Sequence, residues 1–142
     1  MITPGEPPAI AARNLCGMVN GLAQQIADHL RERALTLGLT APQATALREM
    51  TGPVTMRELS ERMGCEPSNA TFVIDKLEKL GLVERHAHPS DRRAKHLVLT
   101  AEGAATRERL LKLLAQDTPL AALSPEQQRV LYGILKQALA SS

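Results

Sequence analysis

Apolar residues recur along most of the chain in steps of three and four, which is the spacing of one face of an α-helix. The first such stretch covers residues 9–37 and predicts one long amphipathic helix that Gly38 ends. Two more helical stretches follow Thr100 and Ser124, which suit N-cap positions. The predicted apolar stripes are Leu15, Met18, Val19, Leu22, Ile26 and Leu30 in the first helix, Leu110, Leu111, Leu113 and Leu114 in the second, and Val130, Leu131, Ile134, Ala138 and Leu139 in the last.

Start and stop signals divide the middle of the chain into three short helices. Capping boxes, in which two residues three positions apart cap each other's backbone, begin at Thr40 and Thr55. Pro67 suits the first turn of the third helix, and the short turn around Gly64 gives the outline of a helix-turn-helix. The residues predicted to face inward are Ala44, Leu47 and Met50, then Leu59 and Met63, then Ala70, Val73, Ile74, Leu77 and Leu80.

The pattern changes to short extended segments after Gly81, which ends the third short helix. Residues 82–86 and 95–99 are predicted strands, and the polar segment between them is rich in turn-forming residues. A hairpin directly after a helix-turn-helix is a wing. The sequence therefore predicts a mainly α fold with a small β-hairpin wing.

The predicted architecture is a winged helix-turn-helix flanked by N- and C-terminal dimerisation helices. It divides into a flexible tail over residues 1–8, a dimerisation helix over 9–37, a DNA-binding lobe over 38–100 and C-terminal dimerisation helices over 101–142. The outer helices carry more apolar surface than so small a lobe is expected to cover. We therefore expect a second copy of the chain to bury it in a homodimer. A monomeric helical bundle is the alternative.

Composition narrows the class of protein without identifying a partner. The 142 residues are 44% hydrophobic but include one Phe, one Tyr and no Trp, which predicts an aliphatic core. The net charge is only +2, so any nucleic-acid site must depend on where the charges lie. The two cysteines are too few for a disulfide scaffold or a zinc motif. Without an apolar run of about 20 residues or a signal peptide, we expect a cytoplasmic protein that does not enter membranes.

The third short helix carries the candidate DNA contacts. Small polar residues at the start of a helix can enter the major groove, where an Asn side chain pairs with an adenine edge and a hydroxyl bonds a base or a phosphate. The candidates are Pro67, Ser68, Asn69, Thr71 and Lys76. Phe72 has two interpretations, because it precedes the inward Val73. Packing at the edge of the core is favoured over the DNA face, where the ring would touch a thymine methyl group.

The predicted wing concentrates positive charge. Arg92, Arg93 and Lys95 lie within four residues, and Arg85 lies on the opposite strand. A guanidinium on a protruding hairpin can enter a narrow, electronegative minor groove. Asp91 is placed to pair with a neighbouring arginine and fix the turn. We therefore expect Arg92, Arg93 and Lys95 to contact DNA and Asp91 to be structural.

These segments resemble those of a known family of regulators. Residues 91–100 look like the wing signature of MarR-type regulators, an Asp-x-Arg followed after five residues by Leu-Thr, and residues 55–83 resemble the helix-turn-helix of that family. The resemblance implies a homodimer that binds a pseudo-palindromic operator in double-stranded DNA. It also implies repression relieved by a small, often aromatic or phenolic, ligand in a cleft between the dimer helices and the DNA-binding lobe. The chain departs from the family pattern at Glu66, where such regulators often have Asp, and at Phe72, where they often have Gly.

Two weaker hypotheses concern sulfur and histidine. Leu15-Cys16 resembles the reactive pair of peroxide-sensing members, but those members supply nearby tyrosines and this chain has one, Tyr132. A buried, inert Cys16 is favoured over a redox sensor, and Cys65 is expected to pack between two helices. The three hairpin histidines, His86, His88 and His96, lack the Cys or carboxylate ligands that would complete a metal site.

The remaining function classes are an enzyme and a winged helix that binds protein rather than DNA. The sequence contains no nucleophile–base arrangement, Gly-rich phosphate loop or paired-carboxylate motif, so we expect neither catalysis nor a cofactor. A protein-binding module would not need polar and basic residues together on one surface. The sequence therefore favours a DNA-binding repressor.

Overall fold

The computed structural model describes residues 8–87, 90 and 95–140, with side chains from residue 11 onwards. Within these residues the chain follows the predicted order of long helix, three short helices, hairpin and two long helices. The first strand begins and ends one residue later than predicted. The elements are α1 (Pro8–Thr36), α2 (Ala41–Glu49), α3 (Met56–Met63), α4 (Pro67–Lys79), β1 (Val83–Ala87), β2 (Lys95–Leu99), α5 (Ala101–Ala115) and α6 (Pro125–Ala140).

Capping interactions confirm the predicted helix starts. The Thr40 hydroxyl accepts from the Gln43 amide while the Gln43 side chain accepts from the Thr40 amide, and Thr55 and Glu58 form the same box. The Ser124 hydroxyl likewise accepts from the Gln127 amide at 3.1 Å before α6. Each box satisfies two backbone donors that a helix start otherwise leaves without partners.

The chain groups into two compact units. The central unit is Ala27–Gln116, and the terminal unit consists of Met1–Ile26 and Asp117–Ser142. The central unit contains the aliphatic core, in which Leu47, Ile74 and Leu77 are fully buried. Leu80, predicted to face inward, is instead 51% exposed, because α4 ends at Lys79 and the chain turns away at Gly81, whose φ is 77°.

A β-bridge that the sequence pattern does not predict joins the hairpin to the segment between α2 and α3. β1 and β2 pair antiparallel, with Val83 opposite Leu99 and Ala87 opposite Lys95. Val54, between α2 and α3, exchanges two backbone hydrogen bonds with Leu97 of β2, at 2.7 and 3.2 Å. This bridge fixes the middle of β2 against the segment that precedes α3.

In the terminal unit the apolar residues of both helices are largely exposed. None of the side chains from Ala11 to Ile26 is buried, and neither is any side chain of α6, all of whose residues are described. A hollow of about 370 Å³ lies within this unit, lined by Leu15, Met18, Val19 and Leu22 of α1 and by Pro119, Leu120, Ala122 and Leu123. No helix in the described part of the chain is long and apolar enough to cross a membrane.

A close approach at Gly103 holds α5 against the end of α4. The Thr100 hydroxyl caps α5 by accepting from the Gly103 amide, and it donates to the Gly81 carbonyl at 2.6 Å. The Leu82 carbonyl accepts from the Thr100 amide at 3.1 Å. A Cβ atom at Gly103 would overlap the Leu82 carbonyl oxygen and lie 2.9 Å from its carbonyl carbon. Only glycine therefore allows this contact between two backbones.

We predict that Gly103→Ala destabilises the protein by about 3 kcal/mol, because a rigid backbone overlap costs more than the higher helix propensity of alanine returns. Chemical unfolding of both proteins measures this change. Ala104→Gly, at the exposed neighbouring position, is the control and should cost only about 1 kcal/mol. Equal or greater stability of Gly103→Ala would contradict the proposed contact.

Candidate nucleic-acid interface

Helix α4 has one buried and one exposed face. Ala70, Val73, Ile74 and Leu77 are buried, and Val73 is the most exposed of them at 8%. Pro67, Ser68 and Asn69 at the start of the helix are exposed. The core thus fixes which side of α4 faces solvent. The polar first turn lies on that side, as the sequence predicts.

The N-terminus of α4 is capped without a side chain. Glu66 occupies the N-cap position in extended conformation and makes no side-chain hydrogen bond to the first turn. Its carbonyl accepts from the amides of Asn69 and Ala70. The partial positive charge of a helix N-terminus favours an anion nearby. This end of α4 therefore suits a DNA phosphate, although the Glu66 carboxylate opposes it.

Thr71 has less hydrogen-bonding capacity than its sequence suggests. It is half-buried, and its hydroxyl donates to the Pro67 carbonyl at 2.9 Å. A hydroxyl has one proton to donate and two lone pairs to accept with. With that proton used inside the helix, Thr71 is left to accept from a donor such as an adenine or cytosine amino group. It cannot donate to a phosphate while this bond persists.

Phe72 lies on the exposed face of α4. Its side chain is 64% exposed, so the favoured prediction of core packing is wrong. At 100° per residue it lies about 160° around the helix from the buried Ile74. The Lys76 ammonium lies 5.4 Å from the centre of its ring. Ser68, Phe72 and Lys76 are spaced four residues apart and share one face.

The hairpin places one of its predicted DNA contacts within the described residues. Lys95 is exposed at the start of β2. Asp91, Arg92, Arg93 and His88 lie outside the described residues, and what the sequence predicts for them stays a prediction.

Arg85 of β1 makes ionic contacts that the sequence pattern does not predict. Its guanidinium binds the Asp75 carboxylate of α4, and its Nε lies 3.9 Å from a carboxylate oxygen of Glu78. The side chain is 30% exposed, and its Nε is buried without a hydrogen bond. Arg85 thus joins β1 to α4 by ionic contacts within the protein.

Among the described residues, neither the cysteines nor the hairpin histidines form part of a cluster that would suit a redox or metal site. Cys16 is exposed in the terminal unit rather than buried, and Cys65 is half-buried at the turn between α3 and α4. His86 bonds the Glu84 carboxylate at 2.9 Å and pairs with His96 across the hairpin. No group of three His, Cys, Asp or Glu side chains in the described ranges is placed to hold a metal ion.

Comparison with known proteins gives a consistent result. A sequence model described as the MarR family matches residues 39–95. The HTH-type transcriptional regulator YfiV of Bacillus subtilis (strain 168), itself uncharacterised, is 31% identical over 112 residues, which are 74% of this chain and 70% of YfiV. The HTH-type transcriptional repressor MdtR of the same strain is 33% identical over 95 residues, 66% of this chain and 61% of MdtR. A third relative, the uncharacterised HTH-type transcriptional regulator YkoM of the same strain, is matched over 58% of its length. The chain thus spans between 58% and 70% of the length of these three relatives.

Solved structures agree with the sequence comparison. A mutant of MarR from E. coli in complex with operator DNA matches with a TM-score of 0.75 and 26% identity, covering 94% of this chain and 99% of that chain. The likeness therefore includes the helix-turn-helix, the hairpin and the flanking helices. The relatives are transcriptional regulators, and proteins of that kind are not enzymes.

We predict that Arg85 and Asp75 are energetically coupled. A double-mutant cycle of Arg85→Ala, Asp75→Ala and the double variant should give about 1 kcal/mol of coupling in the free energy of unfolding, as for a partly exposed ion pair. The exposed Arg57–Glu61 pair of α3, at 3.7 Å, is the control and should give about 0.3 kcal/mol. Equal coupling free energies in the two cycles would contradict the inference that the Arg85–Asp75 pair links β1 to α4.

Proposed function

The chain belongs to the MarR family of transcriptional regulators, and we propose that it binds operator DNA as a homodimeric repressor that a small molecule releases. The observation that carries this proposal is the exposed polar first turn of α4, held outward by the burial of the opposite face. An α-helix presented in this way can enter the major groove, which is about 12 Å wide.

Each part of the proposed interface has a distinct task. Asn69 pairs with an adenine edge, and Ser68 bonds a base or a phosphate. Lys76 and Lys95 neutralise phosphates, which strengthens binding to all sequences alike. The sequence predicts that Arg92 and Arg93 enter the adjacent minor groove, where width rather than base identity is recognised. Specificity in this proposal therefore comes from α4, and much of the affinity comes from the basic residues.

The exposed apolar residues of the terminal unit support the proposed homodimer. Val19 and Met18 of α1 are 50% and 58% exposed, and Val130, Ile134 and Leu139 of α6 are 56%, 58% and 74% exposed. Large contiguous apolar surfaces on a folded chain mark interfaces. A second copy that covers them gives twofold symmetry, which matches a pseudo-palindromic operator with half-sites about 34 Å apart.

The proposed effector requires a site that communicates with α4. A hollow of about 350 Å³ in the central unit is lined by residues of the α1 end, the α4 end and α5, among them Leu80, Leu82, Thr106 and Arg109. This volume lies in the range of small-molecule sites. A ligand there would contact the residues directly after α4. It would weaken DNA binding only to the extent that it binds the DNA-free conformation more tightly than the DNA-bound conformation.

The direct test is selection of DNA fragments at physiological salt. Sheared DNA from the source organism is passed over the purified protein, and the retained fragments are sequenced. We expect one or a few pseudo-palindromic sites, bound with an affinity that falls steeply as salt rises. Retention of no sequence above background by folded, dimeric protein that has been freed of bound small molecules would refute the DNA-binding proposal and favour a winged helix that binds protein. The proposed cytoplasmic location is consistent with access to this DNA.

We predict that Val19→Glu separates the dimer and weakens operator binding by more than about tenfold, because the interface would bury an unpaired charge. Asn20→Glu is the matched control. It introduces the same charge at the next position, exposed as well but about 160° around the helix from Leu22. Sedimentation and operator titration measure both effects. A dimer that survives Val19→Glu as well as Asn20→Glu would place the interface elsewhere.

A further inference from the structure

Phe72 is an aromatic residue that the fold leaves exposed on α4. It is the single Phe of the chain, and 64% of its side chain is exposed on α4. Leaving a large apolar side chain in water forgoes the favourable free energy that its burial would supply. Its Cα lies on the side of α4 away from the core. The ring therefore remains available to a partner of α4.

The neighbours of Phe72 are the residues proposed to contact DNA. Ser68 lies one turn before it, Asn69 three residues before it, and Lys76 one turn after it on the same helix face. The Lys76 ammonium lies 5.4 Å from the centre of the ring, within the range of a cation–π contact. This contact limits the positions that the ring can take on the exposed face of α4.

We propose that Phe72 recognises the 5-methyl group of one thymine in the major groove of each half-site. This inference rests on the proposed DNA binding and names part of its specificity. A phenyl ring has no hydrogen-bond donor or acceptor for a base edge. The thymine methyl is the apolar group that base edges present in the major groove, so it is the favourable partner for the ring.

The proposal also explains discrimination against other bases. A cytosine at the same position would place its amino group near a ring that cannot accept a conventional hydrogen bond from it. That amino group would lose water without gaining a partner, which is costly. The Phe72 ring therefore favours thymine by contact with the methyl group and disfavours cytosine by desolvation.

The test removes one methyl group at a time. Operator fragments recovered by selection are synthesised with each thymine replaced in turn by deoxyuridine, which lacks only that methyl. For the wild-type protein we expect one position in each half-site at which the replacement weakens binding about fourfold, as for the loss of one buried methyl contact. For Phe72→Ala we expect overall weaker binding and no effect of that same replacement.

Two variants serve as controls. Phe72→Leu keeps an apolar side chain and should retain part of the thymine–uracil difference. Lys79→Ala removes an exposed positive charge near the end of α4, and should leave the thymine–uracil ratio unchanged. The thermal unfolding midpoint of Phe72→Ala should equal that of the wild type, because the ring is exposed.

The outcomes separate this inference from the proposed function. If the protein binds specific sites but every deoxyuridine replacement acts equally on wild type and Phe72→Ala, the methyl contact is refuted while DNA binding stands. A change in oligomeric state on Phe72→Ala would likewise refute it, since the ring would then belong to a protein interface. Failure of the wild type, freed of bound small molecules, to select any DNA refutes the proposed function itself.

Discussion

The structure depends on the burial of one face of α4. Ile74 and Leu77 are fully buried among side chains of α2, α3, the hairpin and α5. Since α4 cannot rotate without exposing them, the core determines the direction of every side chain on the opposite face. On α4, the residues that stabilise the fold and the residues proposed to contact bases are thus two sides of one helix, and the core itself positions these contacts.

Arginine side chains complete this aliphatic core by binding backbone carbonyls where helices end. Arg107 of α5 donates to the carbonyls of Leu47 and Arg48 at the end of α2, and Arg33 of α1 donates to the Leu113 carbonyl near the end of α5. The last carbonyls of a helix lack partners within it and carry partial negative charge, which a guanidinium satisfies. Together with Arg85, these arginines direct their positive charge to partners within the protein. The net charge therefore says little about the charge available to DNA.

Local signals in the sequence predicted most of the fold, and tertiary contacts account for what it missed. Capping boxes such as Thr55–Glu58 involve neighbours in sequence, so the helix starts were predictable. The exposure of Phe72 was predictable too, from its angle around α4, but its apolar character and the adjacent Val73 favoured the core. The Arg85–Asp75 pair and the backbone contact at Gly103 depend on how β1 and α5 pack, which no sequence pattern encodes. Arg85 consequently looked like one more basic residue of the wing.

Dimerisation and recognition are linked by the small number of base contacts that one α4 can offer. Ser68, Asn69 and Phe72 are the exposed side chains near its start that suit base edges, and a good base contact discriminates by about 1–3 kcal/mol. A single helix therefore discriminates poorly between its own site and the many competing sites of a genome. In a dimer the second half-site is bound within one complex, so the discrimination of both copies combines at little additional entropic cost. The apolar residues left exposed on α1 and α6 and the sparse polar surface of α4 are thus complementary features. In this proposal neither is sufficient for specific binding without the other.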